Sequence, residues 1–362
     1  MGYFRFDVEA MTGYKPGEQP PPGTPIIKLN TNENPYPPSP QAIAALRNYD
    51  PERLRRYPDP FAREFCQAVS DALDVPKDWI IVGNGSDELL NLMVRACADR
   101  NRAIAYPTPT YVLYRTVAAM QPCPTIEIAY PDHLTLPIDE LTAANAAVTF
   151  LATPNSPTGH QISLDDLRKI VGEVTGVVAI DEAYVDFGEG SALPLLQEFN
   201  NIIILRTLSK GYSLAGLRLG FGIAHPDLLA GLFKVKDSYN IDGIATQVGA
   251  AAMWDQAYKN ECCDKVKESR QILSDKLAKL GFSVPKDPRG NFLLVTPPPG
   301  SLDASQLQTG LKQRNILVRY FAEPGLDQKL RITVGTDDQN QKLIDTLGDL
   351  LWAKGSAATS SL

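Results

Sequence analysis

Short apolar runs recur along the first two thirds of the chain, at Trp79 to Val82, Ala103 to Tyr106, Thr125 to Tyr130, Val148 to Leu151, Val177 to Ile180 and Ile202 to Leu205. The stretches between them place apolar residues at helical spacing, as in Leu89, Leu92, Met93 and Ala96. Continuous Val, Ile and Leu runs separated by helices predict strands buried on both faces, and therefore a mainly parallel sheet between layers of helix. After Glu268 the texture changes to a long helix, a strand at Asn291 to Val295, a helix around Leu307 and Leu311, strands at Ile316 to Phe321 and Leu330 to Val334, and a closing helix through Leu343 and Leu350. That second unit reads as a small α+β domain. Pro20 to Pro22, Pro35, Pro37, Pro38 and Pro40 exclude regular helix from the first forty residues, which should lie extended over the rest. The expected organisation is an α/β protein: an arm over 1–40, a large domain over 41–264, a small C-terminal domain over 265–354 and a disordered tail over 355–362.

With 362 residues and 44% hydrophobic content the chain has enough apolar side chains for two domains and a large core. The formal net charge of -7 argues against a nucleic-acid surface. Cys66, Cys97, Cys123, Cys262 and Cys263 form no CxxC pair, and His133, His160 and His225 do not stand at metal-ligand spacing, so the cysteines read as reduced packing residues and no metal is expected. No run approaches the roughly 18 apolar residues of a membrane span. Arg5, Asp7 and Glu9 stand where a secretory core would be apolar, and Phe6 breaks the lipidation pattern at Gly2, so the expected compartment is the cytosol.

Candidate chemistry gathers at the ends of three of these runs, where open α/β sheets keep their ligand crevice. The run from Ile202 ends in Thr207-Leu208-Ser209-Lys210, Asp181 follows Val177 to Ile180, and Asn155 lies in the loop after Val148 to Leu151. A lysine just after a buried strand suits Schiff-base formation, because desolvating an ammonium is unfavourable. Gly83-Asn84-Gly85-Ser86-Asp87-Glu88 precedes the helical pattern at Leu89, and a helix N-terminus with glycines and a serine is a ready anion site. Thr207, Ser209 and Arg218 make a second anion-binding set. A cofactor bearing an aldehyde, a phosphate and a basic ring nitrogen needs a lysine, an anion cradle and a carboxylate; Lys210, the Gly85/Ser86 helix with Ser209 and Arg218, and Asp181 fill these needs. The cofactor expected is pyridoxal 5'-phosphate. Asn155 and Tyr184 suit the ring oxygen, and Tyr111, after a strand and among prolines, suits stacking on the ring.

Thr153-Pro154-Asn155-Ser156-Pro157-Thr158-Gly159, Asp181-Glu182-Ala183-Tyr184 and Thr207-Leu208-Ser209-Lys210-Gly211 through Arg218 resemble the signatures of fold-type I aminotransferases. Within that superfamily, Leu29-Asn30-Thr31-Asn32-Glu33-Asn34-Pro35, Arg56-Tyr57-Pro58-Asp59, Gly83 to Glu88 and Leu330 to Thr336 are most similar to the histidinol-phosphate aminotransferase family. The resemblance implies the fold-type I architecture, Lys210 as the aldimine lysine, Asp181 on the pyridine nitrogen, and Asn155 and Tyr184 facing the ring oxygen, with Asn155 as the contacting position of its loop and Ser156 as the departure. It also implies that Gly85, Ser86, Asp87, Tyr111, Thr207, Ser209 and Arg218 bind cofactor, that Tyr57 reaches the phosphate in the neighbouring subunit of a homodimer, and that the reaction is transamination of L-histidinol phosphate with 2-oxoglutarate in histidine biosynthesis. Strand alternation turns Arg319 and Arg331 away from their buried neighbours. The resemblance assigns Arg331 to the α-carboxylate of glutamate and Arg319 to a distal carboxylate or phosphate, with Asn32 also at the substrate and Tyr14 helping from the partner's arm. An aromatic amino-acid aminotransferase, a phosphothreonine decarboxylase and a non-enzymatic regulator are the alternative readings, and the intact Lys210 and Asp181 speak against the last.

Overall fold

A computed structural model of the chain describes residues 2–11, 13, 17–21 and 23–359. Seven strands form the larger sheet: β2 (Ile80–Asn84), β3 (Ile104–Thr108), β4 (Thr125–Ala129), β5 (Val148–Ala152), β6 (Val177–Asp181), β7 (Ile202–Thr207) and β8 (Leu219–Ala224), in the order β2-β8-β7-β6-β5-β3-β4. Only β8 runs against its neighbours β2 and β7. Apart from the edge strand β4, the sheet is buried on both faces, as the continuous apolar runs predict. Ile80, Val82, Ile180 and Ile204 face one helical layer, and Ile81, Ala179, Ile203 and Leu205 face the other.

The smaller sheet has the order β1-β10-β11-β9, built from β1 (Ile27–Leu29), β9 (Phe292–Val295), β10 (Ile316–Tyr320) and β11 (Leu330–Thr333). Its outer strand comes from the arm: β1 pairs in parallel with β10, with Ile27 opposite Ile316. The arm is therefore part of the small unit's sheet and not only a covering strap, and it also carries a short helix, Phe6–Ala10, on the N-terminal side of its prolines. The long helix Gln256–Lys279 crosses the expected boundary at 264/265, and its Cys263, Val266, Leu273 and Leu277 pack in the small-sheet core. The closing helix spans Asp337–Thr359. All five cysteines are free thiols. Among the described residues no helix is long and apolar enough to cross a membrane, and no cluster of His, Cys, Asp or Glu could hold a metal ion.

Candidate active site

The C-terminal ends of β5, β6 and β7 open on a cavity of about 280 Å³ whose opposite wall is the small sheet and the arm. Parallel strands direct the chain into loops at one edge, so Asp181, the last residue of β6, and Lys210, three residues beyond β7, reach the same space.

One end of the cavity is built for an anion. The helix Ser86–Cys97 points its N-terminus there, capped by Gly85 at φ 73°. This glycine is required twice over: L-residues disfavour that φ, and a Cβ would stand 2.7 Å from Nη2 of Arg218. Arg218 donates to Ser209 Oγ at 3.4 Å and to the Ala215 carbonyl at 3.3 Å, and its Nη2 lies 3.4 Å from Asp87 Oδ2. These contacts are long for a guanidinium, leaving it available to a stronger acceptor beside the helix N-terminus, Ser86, Thr207 and Ser209.

At the middle lie Lys210 and Asp181. Lys210 Nζ donates to the Thr31 carbonyl at 3.2 Å and sits 5.7 Å from the Tyr184 ring. The Tyr184 hydroxyl accepts from Asn32 Nδ2 at 2.9 Å, and Asn32 is itself held by Thr333 and Asn291. Asp181 is 6% exposed and accepts from Tyr114 Oη at 2.9 Å and the Ala183 N–H at 3.1 Å. Burial pushes its carboxyl up to about 6, against the two hydrogen bonds, which hold it down. A buried carboxylate with no cation beside it is suited to receive a protonated nitrogen.

The third part is an arginine wall. Arg319 and Arg331 stand directly opposite each other across β10 and β11, and both line the cavity. Arg331 donates to Ser156 Oγ at 2.9 Å and to the Asn30 carbonyl at 3.1 Å. Arg319 lies 5.3 Å over the Phe321 ring and has neither a carboxylate nor a hydrogen-bond partner among the described residues. Like charges in cross-strand register repel, and an anion between them relieves the repulsion.

Of the residues singled out from sequence, Lys210, Asp181, Tyr184, Ser86, Asp87, Tyr111, Thr207, Ser209, Arg218, Asn32, Arg319 and Arg331 line this one cavity. Tyr111 donates to Asp87 Oδ1 at 3.2 Å and meets Tyr114 edge-on. Tyr57 is not brought here; it is 82% exposed and stacks on Tyr239. Tyr14 lies outside the described residues. Asn155 is set apart from these. It is wholly buried and does not line the cavity: its amide donates to the Pro109 carbonyl and Thr158 Oγ1 and accepts from Thr110 Oγ1. A buried amide must satisfy both donors, and here it does so with Thr158 of its own loop and Pro109 of the loop after β3, while the neighbouring Ser156 lines the cavity. Sequence reasoning missed Tyr114, Thr31 and Thr110, which contact the expected residues through hydrogen bonds between segments distant in the chain.

Residues 24–347 match the model of the class I and II aminotransferases. The chain belongs to that family. This aminotransferase is 61% identical over 349 residues to histidinol-phosphate aminotransferase 1 of Trichormus variabilis, a match covering 96% of this chain and 99% of that one. It is 39% identical to a histidinol-phosphate aminotransferase of Geotalea daltonii over 96% of this chain and 99% of the relative. Its fold is similar to the crystal structure of histidinol-phosphate aminotransferase from Sinorhizobium meliloti, with a TM-score of 0.86 at 23% identity and 98% of each chain covered. The cavity fits pyridoxal phosphate on its own chemistry: an anion cradle that a Cβ at Gly85 would fill, a buried carboxylate with no ion-pair partner among the described residues, and a lysine in the same lining.

Proposed function

We propose that this aminotransferase moves the amino group between L-histidinol phosphate and 2-oxoglutarate with pyridoxal 5'-phosphate as cofactor. The observation that carries the substrate assignment is Arg319, a guanidinium with no charge partner among the described residues, set beside Arg331 in the same cavity. Two adjacent cations suit a substrate with a distal anion, which both histidinol phosphate and glutamate possess and phenylalanine lacks. The high identity to relatives named for this activity supports the same choice.

When bound, pyridoxal phosphate supplies a carbonyl for the amine and a ring that draws electrons from the substrate Cα. The Gly85/Ser86 helix end, Ser209 and Arg218 hold its phosphate. Asp181 keeps the proton on the ring nitrogen, and Lys210 carries the proton removed from the substrate Cα. Arg331 orients the α-carboxylate of glutamate, Arg319 takes the distal carboxylate or phosphate, and Tyr184 and Asn155 serve the ring oxygen. Residues 41–264 and 265–354 serve as the two domains flanking this cleft.

Arg319→Ala removes one charge-assisted contact, worth about 1.5 to 3 kcal/mol, and should lower kcat/KM for histidinol phosphate and for glutamate by about 10- to 150-fold each. Histidinol, which lacks the phosphate, should change far less. A variant equally impaired with all three amines would contradict the distal-anion role.

The active unit in this reading is a homodimer. Tyr57 and Leu54 are exposed at 82% and 66%, and Tyr57 stacks on Tyr239 outside its own chain's cavity, a position from which it can serve a second copy. Mixing Tyr57→Ala with Lys210→Ala should restore turnover well above either parent, because a hybrid holds one site with Lys210 from one chain and Tyr57 from the other. Full activity in a particle that scatters light as a monomer would refute the shared site.

A further inference from the structure

We propose that Asp186 and Lys259 are positioning residues that grip the main chain of Lys210 from behind the cavity; the inference rests on the reading of Lys210 as the lysine that meets the cofactor carbonyl. The segment carrying Asp181 and Tyr184 to the front of the cavity continues through Asp186, which returns to the rear of Lys210. Gly211 shows the closeness of that return. A Cβ there would strike the Asp186 carboxylate, and Gly211 is not among the residues of positive φ, so glycine is required for room and not for backbone conformation.

Asp186 is fixed in turn by the helix Gln256–Lys279. Its Oδ1 accepts from Lys259 Nζ at 2.9 Å, with side chains only 11% and 13% exposed. Lys259 lies 5.5 Å over the ring of Tyr212, whose hydroxyl accepts from Gln256 Nε2 at 3.0 Å. One turn on, the Cys263 thiol faces the Gly211 carbonyl at 3.7 Å. From the arm, Asn34 Nδ2 donates to the carbonyls of Lys210 and Gly211 at 3.2 and 3.3 Å. Asp186, Lys259, Gln256, Cys263 and Asn34 do not line the cavity, so their effect on chemistry runs through the Lys210 peptide. A buried ion pair is weak support for stability, since an apolar or neutral pair of the same size often replaces it without loss, whereas removing one partner strands a buried charge. Stability alone therefore does not call for charges here, and placement of the Lys210 amine does.

The test separates the two. Asp186→Asn and Lys259→Met are made singly and together in the cofactor-loaded protein, with Tm, kcat, KM for histidinol phosphate and the pH midpoint of the visible cofactor band measured. Each single variant should lower Tm. The double variant should regain Tm while kcat stays about 10- to 100-fold down, KM stays within about twofold and the pH midpoint remains displaced, because a misplacement near 1 Å acts on the reacting step and the substrate's anion sites lie elsewhere. Gly211→Ala reads the same contact without altering charge and should lower kcat in the same way. A double variant with wild-type Tm, kcat and pH midpoint would overturn the proposal, as would Gly211→Ala with wild-type kcat. Failure of the underlying reading looks different: Lys210→Ala would then keep its turnover.

Discussion

Lys210→Ala should fold, bind pyridoxal phosphate weakly, lack the visible absorption band of lysine-linked cofactor, and lose turnover by on the order of 10⁴-fold or more, the scale at which removing a covalent catalytic group acts. The reason is geometric as well as chemical. Lys210 lines the same cavity as Arg218 and Asp181, with Nζ donating to the Thr31 carbonyl and beside Tyr184, and among the described residues no second lysine lines the cavity to replace it. Absorption spectra with and without borohydride, beside the rate of glutamate formation, check it. Turnover near the unmodified level would remove Lys210 from the mechanism.

Asp181→Asn should slow turnover by about 10²- to 10³-fold, the range for deleting one preorganised electrostatic partner. Its effect on the cofactor-free protein should have the opposite sign. Burial raises the Asp181 carboxyl from 3.8 to about 6, so the folded chain binds more protons than the unfolded one between those values, and stability contributed at low pH is lost as pH rises through this window. A shift of about two units at 1.36 kcal/mol per unit corresponds to about 3 kcal/mol. The neutral amide can turn its one oxygen to the Ala183 N–H and donate from Nδ2 to the Tyr114 hydroxyl without the buried charge, and cofactor-free Asp181→Asn should therefore be more stable than the wild type at pH 7 and no more stable at pH 4. In the wild type the cofactor's ring cation offsets the buried charge, so cofactor affinity should weaken as pH falls through 6. Calorimetry with and without pyridoxal phosphate at pH 4 and 7 reads both effects, and a cofactor-free variant less stable than wild type at pH 7 would contradict them.

Six of the seven strands of the large sheet were legible, five as apolar runs buried on both faces and the half-exposed edge strand β4 by its β-branched residues Thr125, Ile126 and Ile128. β8 was not. Its Leu219-Gly220-Phe221-Gly222 pattern reads as turn-rich, yet both glycines serve packing: a Cβ on Gly220 would strike the Ser86 amide, and one on Gly222 would crowd Ile203 and Ile81. β1 escaped notice because it lies among prolines and pairs with β10 at the far end of the chain, a partnership no local pattern encodes. The site was legible where residue type and strand end coincide, as at Asp181 and Lys210. It was not where a polar side chain takes its partners from a distant segment. The Asn155 amide is held by Thr110 and the Pro109 carbonyl from the loop after β3 as well as by Thr158, which no local pattern encodes.

The account stands or falls on the amine it prefers. The purified protein, loaded with pyridoxal phosphate and supplied with 2-oxoglutarate, should be given L-histidinol phosphate, phenylalanine and phosphothreonine in separate reactions, with glutamate and carbon dioxide measured in each. Glutamate should form fastest from histidinol phosphate, at a kcat/KM about tenfold or more above that for phenylalanine, the least that one charge-assisted contact to Arg319 provides, and without carbon dioxide from phosphothreonine. A tenfold preference for phenylalanine, or release of carbon dioxide from phosphothreonine as the leading reaction, would contradict the substrate assignment.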